Sequence, residues 1–150
     1  MRETLFNWLG QTLYGRSCLD LFAGSGALGF EAASRGAERV VMVEKNPAAF
    51  CALRDNIAKL ACATVSASCQ DGLEFACHDA HRYDVIFLDP PFDSDYLPKL
   101  LEILPQRLNE NGRVYVESGA AIDVTPPWRT MKSGKAGQVH YQLLGLSVND

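Results

Sequence analysis

The sequence predicts an α/β fold, a doubly wound and mostly parallel sheet with helices on both faces, built from residues 1–150 as a single domain. Three observations point there. Short apolar runs alternate with helical patterns along nearly the whole chain. A glycine-rich turn joins the first strand to its following helix. The last two apolar pieces flank a loop with Ser133, Gly134 and Gly137, which predicts a hairpin added at one edge of the sheet.

The elements follow in order. Leu5, Leu9 and Leu13 share one helical face, so Arg2 to Leu13 reads as an amphipathic helix. Cys18 to Phe22 is the first strand, and Ala27 to Arg35 a helix stopped by Gly36. Val40 to Val43 is the next strand. Asn46 then caps a helix opening on Pro47, with Phe50, Leu53, Ile57 and Leu60 on its apolar face. Thr64 to Ala67 is a weak strand, Gly72 to Cys77 a short helix, and Tyr83 to Leu88 a strong strand. Tyr96 to Leu104 is helical, and Pro105 kinks or ends it because a proline cannot donate within a helix. Asn111-Gly112 turns into the strand Arg113 to Glu117. Pro126-Pro127 breaks the chain before strand-like pieces around Trp128 to Met131 and Val139 to Leu144.

Composition excludes several classes. Hydrophobic residues make up 47% and charged residues 21%, a globular balance. No apolar run reaches the ~20 residues of a membrane span, and no signal-peptide pattern opens the chain. Five cysteines without a C-x-x-C pair or paired histidines indicate reduced thiols and a cytoplasmic location, with no metal site or disulfide framework. His78, His81 and His140 are scattered and carry no assigned role. The net charge of −4 sets a tension with nucleic-acid binding, because phosphate contacts require Lys and Arg.

The first motif is Asp20-Leu21-Phe22-Ala23-Gly24-Ser25-Gly26-Ala27-Leu28-Gly29, at a strand-to-helix handover where doubly wound folds bind nucleotides. Gly24 permits the tight turn, Gly26 a ligand's approach to the backbone, and Gly29 close helix packing. Glu44 ends the next strand twenty residues after Gly24, where an acid can hold ribose hydroxyls. On its own this constellation suits NAD as well as S-adenosylmethionine.

The second motif, Asp89-Pro90-Pro91-Phe92, directly follows the strand Tyr83 to Leu88 and separates the two. That strand is expected beside the first, so both loops open into one crevice. A Pro-Pro turn can merely end a strand, but here it stands with a glycine loop and Glu44 in the right order. An exocyclic amine on a base is a poor nucleophile, because its lone pair is delocalised into the ring. The Asp89 carboxylate and the Pro90 carbonyl can accept its two N–H bonds, while the fixed φ of Pro90 and Pro91 stiffens the loop. The amine is then aimed at a sulfonium methyl, and such positioning is worth up to ~7–11 kcal/mol. Phe92 offers a face on which a flipped base can stack.

These residues resemble a known group. Asp-Pro-Pro-Phe is similar to the catalytic signature of amino methyltransferases, and the glycine loop to their cofactor loop. Arg2-Glu3-Thr4-Leu5-Phe6-Asn7-Trp8-Leu9, Val116-Glu117-Ser118 and Lys135-Ala136-Gly137-Gln138-Val139 extend the likeness over nearly the whole chain. On them the sequence resembles the bacterial 16S ribosomal RNA (guanine-N2)-methyltransferase D family, of the guanine-966 type.

That resemblance implies a class I methyltransferase fold, seven-stranded, with an antiparallel strand in its C-terminal hairpin. It implies S-adenosylmethionine held by Asp20, Phe22, Ala23, Gly24, Ser25, Gly26, Glu44, Lys45, Asp71, Gly72 and Asp89, and chemistry at Asp89, Pro90, Pro91 and Phe92. Small-subunit ribosomal RNA, free or in an assembled particle, is the expected partner, with Arg2, Lys132 and Lys135 as contacts. Asp71 reads equally as a helix N-cap, Glu117 as a solvated strand end, and the lysines, near Arg129, as a solvated hairpin. Trp8 reads as packing and Asn56 as surface. Family members carry a basic, β-rich stretch before the Arg-Glu-Thr helix, and this sequence begins inside that helix, so it reads as truncated or as a short member. Competing readings are a DNA adenine-N6 methyltransferase, an NAD-dependent oxidoreductase, which needs a placed His or Tyr for hydride transfer, and a Rossmann binding module in which Asp89 is dispensable.

Overall fold

The computed structural model describes residues 2–91 and 95–147. Its framework is a seven-stranded sheet in the order β3-β2-β1-β4-β5-β7-β6. The strands are β1 (Ser17–Asp20), β2 (Arg39–Val43), β3 (Val65–Ser68), β4 (Tyr83–Leu88), β5 (Leu108–Ser118), β6 (Trp128–Ala136) and β7 (Val139–Leu146). β1 to β5 are parallel, and β7 runs antiparallel to both β5 and β6. This is the class I methyltransferase architecture. Order reverses between β1 and β4, which lie side by side as expected, and the crevice opens at their carboxyl ends.

Among the described residues, five α-helices cover the sheet: α1 (Arg2–Trp8), α2 (Ala27–Ser34), α3 (Pro47–Leu60), α4 (Gly72–His78) and α5 (Tyr96–Ile103). Parallel strands with both faces buried need apolar residues at every position, and alternate residues serve alternate faces. Cys18, Val40, Met42, Val85, Phe87 and Tyr115 join one core with α1, α2 and α3. Leu19, Val41, Val43, Ile86, Leu88, Val114 and Val116 join the other with α4 and α5.

Several boundaries differ from expectation. α1 ends at Trp8, because Gly10 and Gln11 take left-handed backbone angles (φ 97° and 68°), yet Leu13 still packs in the core. In α3, Asn46 caps as predicted, its side chain accepting from the Ala49 amide at 3.0 Å. Leu53 is buried there, but Leu60, in the last turn, is 60% exposed rather than buried. Leu104–Arg107 tightens into a 3-10 turn where Pro105 was expected to kink or stop the helix. β5 begins at Leu108 rather than after the Asn111-Gly112 turn, and its pairing with β4 is irregular between Tyr83 and Val85. The hairpin loop is shorter than its glycines suggested, since β6 continues through Ser133 and Gly134 to Ala136.

One buried polar residue fixes a segment near the crevice. Gln142 on β7 is 4% exposed; its Oε1 accepts from the Ile122 amide at 2.7 Å, and its Nε2 donates to the Ile122 carbonyl at 3.1 Å. A third bond runs from Nε2 to Thr130 Oγ1 at 3.2 Å. Gln142→Leu removes all three and leaves Ile122 unpaired. It should lower unfolding stability by about 1–3 kcal/mol in urea denaturation, while Gln142→Glu, which keeps one acceptor, should lose less at low pH than at neutral pH.

Candidate active site

The site assembles from three strand ends. β1 delivers Asp20 and the loop through Gly26, β2 delivers Glu44, and β4 delivers Asp89-Pro90-Pro91. Two adjoining cavities, about 500 and 470 Å³, share Phe22, Gly24 and Asp89. The first is lined also by Glu44, Lys45, Asp71, Gly72, Pro90, Pro91 and Tyr96. The second is lined also by Arg2, Asp20, Ala23, Ser25, Tyr115 and Glu117. The structure thus brings together nearly every residue expected at the site. Phe92 lies outside the described residues.

Three expected residues stand elsewhere. Gly26 lines neither cavity. At φ 84° it starts α2, and a Cβ there would meet the Leu53 and Phe30 side chains at 2.6 and 2.7 Å. The glycine open to a ligand is instead Gly24, at φ 55°, whose missing Cβ would point into free space within the crevice. Lys132 and Lys135 sit exposed on β6 at the far edge of the sheet and line neither cavity.

Glu44 does more than end a strand. Its Oε1 accepts from the Gly24 amide at 2.8 Å and its Oε2 from the Asn46 amide at 2.9 Å. A carboxylate therefore sits bonded to the glycine turn, and its negative charge beside that loop disfavours a pyrophosphate there. Asp71 fulfils the N-cap reading, its Oδ2 accepting from the Glu74 amide at 3.1 Å, while it also lines the first cavity. Its Oδ1 accepts from the Tyr96 hydroxyl at 2.6 Å, and the Tyr96 and Phe22 rings lie 5.8 Å apart. Sequence reasoning missed Tyr96, which carried no signal beyond opening a helix.

Glu117 was also misjudged. Leu88 pairs with Val116, so Asp89 and Glu117 are the next residues out on neighbouring strands. Their carboxyls hydrogen-bond to each other, and Tyr115 Oη donates to Glu117 Oε1 at 3.0 Å. Burial raises both carboxyls, and the charge of Asp89 raises Glu117 further, so the pair holds a proton more readily than two free carboxyls do. A signal existed in the sequence: Asp89 follows the apolar run of β4, and Glu117 follows Val114-Tyr115-Val116 near the end of β5.

Asp20 completes the acidic floor. It is 3% exposed, and burial pushes its carboxyl up to about 7, opposed by the Phe22 amide and reinforced by Asp89, Glu44 and Glu117. The two cavities together carry five acids, Asp20, Glu44, Asp71, Asp89 and Glu117, against two cations, Arg2 and Lys45. Such a crevice suits a cationic, hydroxyl-rich ligand and repels a polyanionic one. Among the described residues, no group of three or more His, Cys, Asp or Glu is placed to hold a metal ion. No helix there is long and apolar enough to cross a membrane.

The pH dependence of stability follows from Asp20. Its folded-state value lies above the ordinary 3.8, so folding favours the protonated acid. Stability from this group is full below 3.8 and falls as pH rises to about 7. Asp20→Asn should flatten that fall, as measured by Tm across the same range without ligand, and an unchanged pH slope would remove Asp20 as its source.

The geometry has counterparts among known proteins. A family model described as conserved hypothetical protein 95 matches residues 1–145. A ribosomal RNA small subunit methyltransferase D from Haemophilus influenzae is 36% identical, the match covering 95% of this chain and 78% of that protein. One from Escherichia coli K12 is 34% identical, covering 95% and 75%. A solved Escherichia coli structure, a candidate methyltransferase, superposes with a TM-score of 0.91 at 33% identity, covering 99% of this chain and 86% of that one.

Proposed function

Because the chain belongs to the ribosomal RNA small subunit methyltransferase D family, we propose that it transfers a methyl group from S-adenosylmethionine to the exocyclic N2 of a guanine in 16S ribosomal RNA. Family membership supports methyl transfer to small-subunit RNA. The observation that carries the cofactor is the acidic crevice, in which Glu44 already fills the glycine-loop amide and Asp89 stands at the junction of both cavities. That placement favours a sulfonium nucleoside over NAD. Five free thiols, with Cys18 buried and pushed up to about 12 by that burial, fit a cytoplasmic enzyme.

The residues divide the work. Glu44 and Asp71 would hold the nucleoside half, the acid of Glu44 toward ribose hydroxyls and the Phe22 and Tyr96 rings toward the adenine. Asp20 and the Ala23-Gly24-Ser25 backbone would hold the amino-acid half. S-adenosylmethionine supplies, when bound, an electrophilic methyl on a positively charged sulfur. Asp89 and the Pro90 carbonyl accept the N–H bonds of the target amine and hold its lone pair toward the crevice. Pro90 is buried and Pro91 exposed, so the rigid dipeptide anchors at one end and faces acceptor RNA at the other.

Two measurements test this reading. S-adenosylmethionine should raise the Tm while NAD leaves it unchanged; a shift with NAD alone would sink the proposal. Asp89→Ala should reduce methyl transfer by 10²-fold or more, the scale of a lost positioning contact, with cofactor affinity within a few-fold. The substrate is checked by mapping methylated guanine in 16S RNA from cells lacking the protein, with and without its return. A methylated position that persists without the protein would count against the RNA assignment.

A further inference from the structure

Beside the methyl-acceptor site lies a third cavity, of about 460 Å³, whose lining includes Pro90, Pro91, Glu117 and the segment from Ser118 to Ile122. Glu117 belongs to this cavity and to the second one, so it stands at their boundary, while Asp89 belongs to the crevice. The cavity's outer wall is fixed. Ser118 Oγ donates to the Ala120 carbonyl at 2.6 Å, and Gln142 clamps both backbone groups of Ile122. Pre-formed walls with an acid among the lining residues are what a flipped base needs.

The chemistry of that base matches two adjacent acceptors. Guanine presents N1–H beside its N2 amino group, so two donors point the same way along one edge. Adenine and 2-aminopurine have an unprotonated N1, which a carboxylate repels. Asp89 and Glu117 emerge side by side from β4 and β5, and Tyr115 holds Glu117 in place from below.

Building on the proposed methyl transfer to guanine N2, we infer that Glu117 is the specificity-determining residue of the acceptor pocket: it accepts the guanine N1–H while Asp89 accepts the N2 amino hydrogen. Both acids hold protons more readily than free carboxyls do, and a proton that the pair carries in the empty pocket leaves for solvent when a guanine supplies donors of its own. Binding of guanine therefore strengthens as pH rises and the pair ionises. The other ionisable groups facing the pair are Asp20 on β1, Tyr115 on β5, Tyr141 on β7 and Arg2 on α1. Asp20 is acidic as well, so its ionisation delays that of the pair without reversing the direction.

The test separates recognition from support. 2-Aminopurine keeps the N2 amino group but has no hydrogen at N1. Small subunits assembled from 16S RNA with either guanosine or 2-aminopurine riboside at the methylated position are compared by kcat/KM. The wild-type protein should prefer guanosine by about 10- to 100-fold, the worth of one good base-edge contact. Glu117→Gln can donate its amide to N1 of 2-aminopurine, so the preference should collapse toward unity or invert, with cofactor-induced Tm shifts retained. An equal loss on both substrates, with the preference intact, would overturn the role of Glu117 and leave the methyltransferase reading standing. Transfer to neither substrate by the wild-type protein would overturn both. Should Glu117→Gln fail to fold, the wild-type preference itself decides: it should grow as pH rises, because a protonated Glu117 donates to 2-aminopurine. A preference that does not change with pH would overturn the inference.

Discussion

The Glu44 carboxylate joins two loops that no strand connects. One oxygen takes the Gly24 amide after β1 and the other takes the Asn46 amide after β2. Asn46 in turn caps α3, so the start of that helix and the floor of the crevice share one anchor. Charge-assisted bonds to backbone amides are among the stronger hydrogen bonds available. The position of Gly24, common to both cavities, depends on this bridge. A ligand that binds through ribose hydroxyls meets an acid already oriented, with little left to reorganise.

Around that anchor the crevice concentrates negative charge, and the strain of doing so is visible in its acids. Burial lifts the Asp20 carboxyl to about 7 and raises those of Asp89 and Glu117 as well. All three carboxyls thus bind protons more readily than free acids do, which softens their mutual repulsion. A positively charged guest can take over that role, so its arrival is coupled to proton release. The same field opposes the phosphates of RNA, which must be met outside the crevice. Arg2, lining the second cavity, and Lys45, lining the first, are the cations of the crevice among the described residues.

Most of the framework could be read from local chemistry. The capped start of α3, the span of β4 and the neighbourhood of β1 and β4 depend on short patterns and on the handedness of βαβ units, and the structure has them. So are the acids that follow strands, as with Glu44 and Asp89. What escaped was set by contacts between distant segments. Glu117 gained its meaning from register with β4, Tyr96 from a hydroxyl aimed at Asp71, and Gln142 from a loop twenty residues earlier. Gly26 lines neither cavity, and glycine spacing alone cannot tell a turn that faces a ligand from one that faces Leu53 and Phe30. Leu60 fitted the helical period but lies in the last turn, with Ala61 already left-handed.

The position of β6 has a consequence for association. It closes one side of the sheet, and its outer backbone groups have no neighbouring strand among the described residues. An open edge of nine residues is a template on which a second chain can add itself, the first step toward fibrous aggregates. Along this strand Arg129, Lys132 and Lys135 are exposed, so two copies approaching edge to edge would bring like charges together. The lysines that lie away from the crevice thereby act as gatekeepers of solubility, and neutralising both would expose the protein to self-association under crowded conditions.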